Sequence, residues 1–159
     1  MKHVQSAISL FTAIALAVIA AACSQEGENR SALTAATGPS AIVQNHEGDV
    51  GCTPGFWKKK PWPASVNPSA TLGATFTGVP ANLAGVTLLD ALSLGGGGVY
   101  ALMRHGVAAL LNAASIQYPV NTFFVTLAVN NALGGLADIE ATKDQFDVWN
   151  NVGAPGFCD

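Results

Sequence analysis

Apolar side chains recur at helical spacing through the second half of the chain. Between residues 99 and 114 they fall at i, i+3, i+4, i+7, i+8, i+11, i+12 and i+15, which draws one apolar stripe along about four turns of a helix. A shorter periodic stretch covers 86–94, and two more begin after Asn121, a suitable N-cap, and near Asp138. The pattern predicts a mainly α-helical protein, a small bundle of about four helices.

Each of the two later helices has one apolar face, and such a face normally packs against a core. The face of the third helix holds Phe123, Phe124, Leu127 and Ala128. The fourth helix has a narrower stripe made of Ile139, Thr142, Phe146 and Trp149, with charged side chains on its other side.

Prolines dominate the segment that precedes the helices. Pro61, Pro63 and Pro68 exclude a regular helix up to about residue 70, because proline lacks the backbone N–H and restricts the residue before it. This segment is therefore expected to form an irregular N-terminal wrap held by its aromatic rings. Alternation of apolar and smaller or polar residues at 71–79 leaves room for a short β-strand in that wrap.

The first 22 residues have the pattern of a secretory signal peptide. A basic start, Met1-Lys2-His3, precedes an apolar run at 7–22, which is shorter than the roughly 20 residues that span a bilayer. No basic stop-transfer cluster follows the run. Residues 1–22 are therefore expected to be removed on export.

Cysteine chemistry then predicts a membrane anchor. Ile19-Ala20-Ala21-Ala22-Cys23 resembles the lipobox of bacterial lipoproteins, in which the cysteine becomes the first mature residue and its thiol takes a diacylglycerol. The following Ser24 resembles the pattern sorted to an outer membrane. Because Ala20-Ala21-Ala22 also satisfies a small-x-small cleavage site, simple secretion is the alternative.

The chain has three cysteines, and an exported protein seldom leaves a reactive thiol unpaired. Lipidation of Cys23 leaves Cys52 and Cys158 as a pair, so a disulfide is expected to close a domain at 51–159. Residues 23–50 are rich in Ser, Ala, Gly, Thr and Glu, which is typical of a flexible tether, here lipid-anchored, with a reach of roughly 30 Å.

Composition limits the partners. Seven basic residues, of which Lys2 lies in the leader, face ten acidic ones, and this negative balance argues against nucleic acid as a partner. With 11% charged and 50% hydrophobic residues, the folded part can bury a sizeable core, and the length allows one domain.

The run Cys52-Thr53-Pro54-Gly55-Phe56-Trp57-Lys58 resembles the Cys-Thr-Pro-Gly-aromatic-Trp-Lys opening of a family of exported bacterial domains. Residues 88–93, 108–114 and 149–151 are similar to later blocks of that family. The resemblance implies an exported, disulfide-linked domain and implies no reaction. Lys59-Lys60 stand where the family has Asn-His, so any role of that histidine is not carried over, and 154–157 are extra residues before the closing cysteine.

Candidate chemistry is sparse. Motifs for a metal site or for a phosphate-binding loop after Gly95-Gly96-Gly97-Gly98 are missing from the sequence, so no metal and no cofactor are expected. His105 is interpreted as a partly exposed structural histidine of the core helix. An alternative hypothesis is a small exported hydrolase-like enzyme whose site gathers Asp90, Arg104 and His105 from different helices.

The most distinctive cluster is a loop of rings and lysines: Phe56, Trp57, Lys58, Lys59, Lys60 and Trp62. Flat rings can stack on sugars or apolar partners, and lysines can meet anionic polymers, although the rings could also simply pack on the bundle. The leading hypothesis is a non-catalytic cell-envelope or surface lipoprotein module. It would be held on the membrane by its lipid and would bind or scaffold an envelope polysaccharide or protein through this loop.

Overall fold

The computed structural model describes residues 49–158, and within them the regular secondary structure is α-helical. Residues 1–48 and Asp159 lie outside the described residues. The predictions of a signal peptide at 1–22, of lipidation at Cys23 and of a tether up to residue 48 fall on that outside part. The helices are α1 (Pro54–Trp57), α2 (Leu72–Thr75), α3 (Ala81–Ala84), α4 (Leu88–Ala91), α5 (Val99–Ser115), α6 (Thr122–Leu133) and α7 (Ile139–Asn150).

Helix α5 is the centre of the fold and packs against both α6 and α7. Its apolar stripe is buried as the periodicity predicts, with Leu102, Met103 and Val107 inaccessible to solvent. Gly106 allows close packing, because a Cβ on it would lie 3.0 Å from Cγ2 of Val129 on α6. The long predicted core helix is confirmed.

Helices α6 and α7 begin where the sequence predicts. The Asn121 side chain accepts a hydrogen bond from the Phe124 amide at 3.1 Å, and Asp138 does the same for Ala141 at 2.7 Å. Each cap satisfies one of the amides that the first turn of a helix leaves without a backbone partner.

Of the apolar face predicted for α6, Ala128 packs against the core, but Phe123, Phe124 and Leu127 do not. Val125, Val129 and Ala132 are buried, whereas the face with Phe123 and Leu127 is largely exposed. The reason is the close approach at Gly106, where Val129 fits and a phenylalanine ring would not. For α7 the prediction is confirmed at its second half, where Phe146 and Trp149 are buried.

Four single-turn helices form the N-terminal part of the domain, which joins the long helices through a core of buried apolar side chains. Thr53, Thr71 and Thr87 each place a side-chain oxygen on an amide three residues later, so each starts a turn. Residues 71–79, for which the sequence allowed a short strand, instead contain α2, and their β-type pairing is an isolated bridge between Thr71 and Thr87.

A disulfide joins Cys52 to Cys158, which lie 106 positions apart in sequence and have their Cα atoms 5.3 Å apart. The predicted pairing is confirmed. Next to it, Gly51 and Gly153 exchange two backbone hydrogen bonds of 3.3 and 3.0 Å. Gly51 is required there, because a Cβ on it would stand 2.0 Å from the carbonyl oxygen of Trp149.

Candidate functional site

The ring-and-lysine loop divides into a buried part and a surface part. Trp57 is only 1% exposed, and its Nε1 donates a hydrogen bond of 2.9 Å to Asn112, so this ring belongs to the core. Trp62 is half-buried, and its Nε1 donates to the carbonyl oxygen of Trp57 at 2.9 Å. This bond closes the loop that carries the lysines.

The surface part is basic and aromatic. Lys58, Lys59 and Lys60 are exposed, and the Lys60 ammonium lies 5.3 Å from the centroid of the Phe56 ring, within range of a cation–π contact. Phe157 packs on Phe56 with ring centroids 5.9 Å apart and stays 45% exposed. We call the three lysines together with Phe56, Trp62 and Phe157 the basic surface.

Phe157 is the member of the basic surface that the sequence did not reveal. It belongs to the extra residues 154–157 before the closing cysteine, and the disulfide brings it against the opening motif. The signal that could have identified it is the predicted disulfide itself, because Cys158 adjoins Phe157 and Cys52 lies only a few residues before Phe56.

Beneath the basic surface lies a buried polar network centred on Asn112. Its Oδ1 accepts from the Cys52 amide at 3.0 Å and from the Trp57 indole at 2.9 Å. Its Nδ2 donates to the Cys52 carbonyl at 2.9 Å and to Oδ1 of Asn150 at 2.8 Å. One side chain of α5 thereby fixes the start of the domain and the end of α7.

Asn150 extends the network. Its Oδ1 also accepts from the Tyr118 hydroxyl at 2.9 Å, and its Nδ2 donates to the His105 carbonyl at 3.0 Å. Burial raises the pKa of Tyr118 above its usual range, so the hydroxyl remains protonated and able to donate. All four hydrogen-bonding positions of the Asn112 side chain and three of the four of Asn150 are used within the fold, which gives the network a structural role.

The three residues of the hypothetical enzyme site have separate partners. Asp90 accepts a hydrogen bond of 2.7 Å from the Thr87 hydroxyl, in the first turn of α4. Arg104 donates to the carbonyl oxygens of Leu94 and Gly96 and so holds the glycine-rich loop. None of the hydrogen bonds among residues 49–158 connects Asp90, Arg104 and His105 to one another.

His105 is buried at the contact of α5 with α7, more than the partly exposed position expected. Its Nδ1 lies 3.4 Å from a carboxylate oxygen of Asp147, without the geometry of a hydrogen bond. Burial lowers the pKa of His105, and the Asp147 charge opposes that shift in part. The imidazole is therefore biased toward its neutral form.

The glycine-rich loop does not present an open anion site. The Gly98 amide, at the start of α5, donates a hydrogen bond of 2.9 Å to Oε1 of Glu140. Glu140 in turn lies 3.5 Å from the ammonium of Lys143. A carboxylate of the protein itself thus occupies the positive end of this helix.

Two of the better-formed surface depressions in the part of the chain that the structure describes differ in their lining. One of about 250 Å³ lies beside the disulfide, and the other, of about 580 Å³, is lined mainly by apolar residues such as Val66, Leu88 and Leu110. No acidic, basic or imidazole side chain lines either of them. Among residues 49–158, no group of three or more His, Cys, Asp or Glu side chains could hold a metal ion.

Within the same residues, no helix is both long enough and apolar enough to cross a bilayer. Compared with protein-family models, with curated proteins and with solved structures, the chain gives no match in any of the three. The resemblance of the opening motif to a family of exported domains therefore stays a prediction.

Proposed function

We propose that this chain is a non-catalytic, lipid-anchored module of a bacterial cell envelope, and that its basic surface binds an anionic envelope polysaccharide. The observation that carries the proposal is the distribution of positive charge. Residues 49–158 contain five basic side chains, and three of them are the consecutive, exposed Lys58, Lys59 and Lys60. The other two are Arg104 on α5 and Lys143 on α7, so the three lysines are the only cluster of basic side chains among these residues.

The rings beside the lysines specify the kind of polymer. A sugar ring presents C–H groups that pack on aromatic faces, and its phosphate or carboxylate substituents attract ammonium groups. Phe157 is partly exposed and Phe56 lies under Lys60, so rings and charges are available on one surface. An acidic polysaccharide matches both features, whereas a neutral one would leave the lysines without a role.

Binding can be tested with the mature chain in which Cys23→Ser prevents lipidation and keeps the protein in solution. Isolated anionic envelope polysaccharide should bind it, and Lys58→Gln/Lys59→Gln/Lys60→Gln should weaken binding by about tenfold or more in calorimetry, since three exposed ion pairs are lost. Raising the salt concentration should weaken polysaccharide binding by the parent protein more than binding by this variant.

Two controls separate the charge of the basic surface from charge in general. Lys58→Arg/Lys59→Arg/Lys60→Arg keeps the charge and should retain binding, and Lys143→Gln removes a cation that is engaged on α7 and should also retain it. If the triple glutamine variant and the parent protein bind the polysaccharide with equal affinity, the basic surface is excluded as the binding site.

The lipid anchor is the second part of the proposal and has its own test. Mass spectrometry of the mature amino terminus should find Cys23 carrying acyl chains, because two or three chains make membrane anchoring effectively stable where one does not. Cys23→Ser should release the protein from membranes or leave its precursor uncleaved, while Cys52→Ser/Cys158→Ser should stay anchored. If the protein is soluble and its Cys23 is unmodified, the hypothesis of a lipid anchor is wrong and simple secretion takes its place.

We further propose that the chain belongs with the exported domains that share its opening motif. Support comes from the way the similar blocks meet: Cys52 and Trp57 of the opening, Asn112 of the block at 108–114 and Asn150 of the block at 149–151 lie in one hydrogen-bond network. A set of residues that act together in this way is expected to be kept together.

A further inference from the structure

Helix α6 exposes three large apolar side chains on one side. Phe123 is 65% exposed, Phe124 41% and Leu127 42%, and the two rings contact each other with centroids 5.4 Å apart. We call these three residues the aromatic face. The core contacts of α6 are made instead by Val125, Val129 and Ala132, with Ala128 and Leu133 packed beside them, and the aromatic face lies outside the buried core.

The chain on both sides of the aromatic face carries no charge. Residues 106–137 include no Asp, Glu, Lys, Arg or His. Polar groups on α6 are hydroxyls and amides, and Thr126 already donates its hydroxyl to the carbonyl of Thr122 at 3.0 Å. A low-dielectric medium could therefore cover α6 without removing a charged group of that helix from water.

The chain that leads to Cys23 joins the domain close to this helix. The Val50 amide donates a hydrogen bond of 2.8 Å to the carbonyl of Gln117, which precedes Phe123 by six positions. Even a fully extended segment of that length spans only about 20 Å. The described chain therefore enters the domain beside the loop that opens α6.

We propose that the aromatic face docks the domain onto the lipid surface that holds the Cys23 anchor, an inference that rests on the anchor proposed above. Phenylalanine and leucine side chains on one side of a helix are the groups that enter the boundary between lipid headgroups and acyl chains. The part of the predicted tether that precedes the described residues would keep the domain at high effective concentration near that surface, so a weak contact would suffice. A second copy fits less well, because a stable protein interface takes about 20–30 residues a side.

The test uses the mature chain, with or without its natural lipid. Cys23 is its only cysteine outside the disulfide, so its thiol can be coupled to a maleimide phospholipid in vesicles of phosphatidylethanolamine and phosphatidylglycerol. Phe123→Trp places a tryptophan on the aromatic face, and the matched control Val148→Trp places one on the exposed, acidic side of α7. Brominated acyl chains should quench the added emission of Phe123→Trp, whereas Val148→Trp should behave like the parent protein.

Each outcome is decisive. Quenching confined to Phe123→Trp supports docking, and equal quenching of both variants or of neither overturns it. If the emission of Phe123→Trp instead changes with protein concentration in the absence of vesicles, and sedimentation finds a dimer, a second copy is the occupant and the lipid proposal is wrong. Flotation of the naturally produced protein with membranes tests the anchor separately, because the chemically coupled chain reports docking whether or not Cys23 is lipidated in the cell.

Discussion

The side-chain amide of Asn112 uses both of its acceptor positions and both of its donor hydrogens inside the protein. Asn112→Ala would leave the Cys52 amide and the Trp57 indole buried without acceptors. We expect a loss of about 3–5 kcal/mol in the free energy of unfolding, measured by denaturant titration, because each orphaned donor costs on the order of 1–3 kcal/mol. Asn151→Ala removes bonds at the exposed end of α7 and should change stability by less than about 0.5 kcal/mol.

Protonation of His105 should make stability depend on pH. Burial lowers its folded-state pKa below the 6.5 of an unfolded chain, so the unfolded chain binds more protons as the pH falls through 6.5. The free energy of unfolding should therefore decrease as the pH is lowered from neutral through 6.5 and stop changing on this account below the folded-state pKa. His105→Gln should remove that part of the slope.

Denaturant titrations above pH 5.5 keep the carboxylates out of the comparison. His46→Gln is the control for the loss of a histidine. If stability depends on pH with the same slope in the parent protein as in His105→Gln, the prediction is contradicted.

The sequence placed His105 in the core helix, but its depth depends on α7, which supplies Asp147 across the contact. Likewise, Asn112 could be noticed as a polar residue among apolar ones, while its four partners come from segments far apart in the chain.

At the scale of elements, the carboxylate of Glu140 joins the starts of two helices. It belongs to the first turn of α7 and accepts from the Gly98 amide at the start of α5. Glu140→Gln should lower the free energy of unfolding by about 0.5–1 kcal/mol at low ionic strength, and salt should reduce the difference, because the helix-dipole interaction is screened. Thermal unfolding at low and high salt measures this.

Asp144→Asn is a matched control on the same helix. It also removes a carboxylate that pairs with Lys143, but it has no bond to α5. A loss as large as that of Glu140→Gln would assign the effect to Lys143 rather than to the start of α5.

The existence of α5, α6 and α7 was readable from periodicity and from the capping residues Asn121 and Asp138, because those signals are local. The orientation of α6 was not, since it has apolar residues on two sides and only the approach to Gly106 decides between them. The single turns α1, α2 and α3 were missed because propensity hardly favours a helix of four residues, and the helix predicted at 86–94 is reduced to the single turn α4. The threonine caps of α1 and α2, each three positions before the amide that it binds, were the available signal, whereas α3 has no side-chain cap.

For the whole molecule, the disulfide closes a chain segment of 106 positions. In the chain-entropy account, a loop of that size contributes roughly 4–5 kcal/mol, which is a large part of the stability of a small domain. Cys52→Ala/Cys158→Ala should shift the guanidinium midpoint downward while unfolding remains cooperative, because Asn112 and the Gly51–Gly153 hydrogen bonds still join the two ends. A variant with the midpoint of the parent protein would contradict this.

Cys52 is held both by the disulfide and by hydrogen bonds to Asn112, and this affects how the domain would transmit a mechanical force. A pull on the amino-terminal part of the chain reaches the hydrogen bonds of Val50 and Gly51 first and then Cys52, where the disulfide and two hydrogen bonds to Asn112 hold the chain. If a polymer bound at Lys58 to Lys60 supplies the opposing pull, the stretched path is the short segment between Cys52 and those lysines. The covalent path between the two loaded points then bypasses α6 and α7, while the hydrogen bonds to Asn112 pass part of the force to α5.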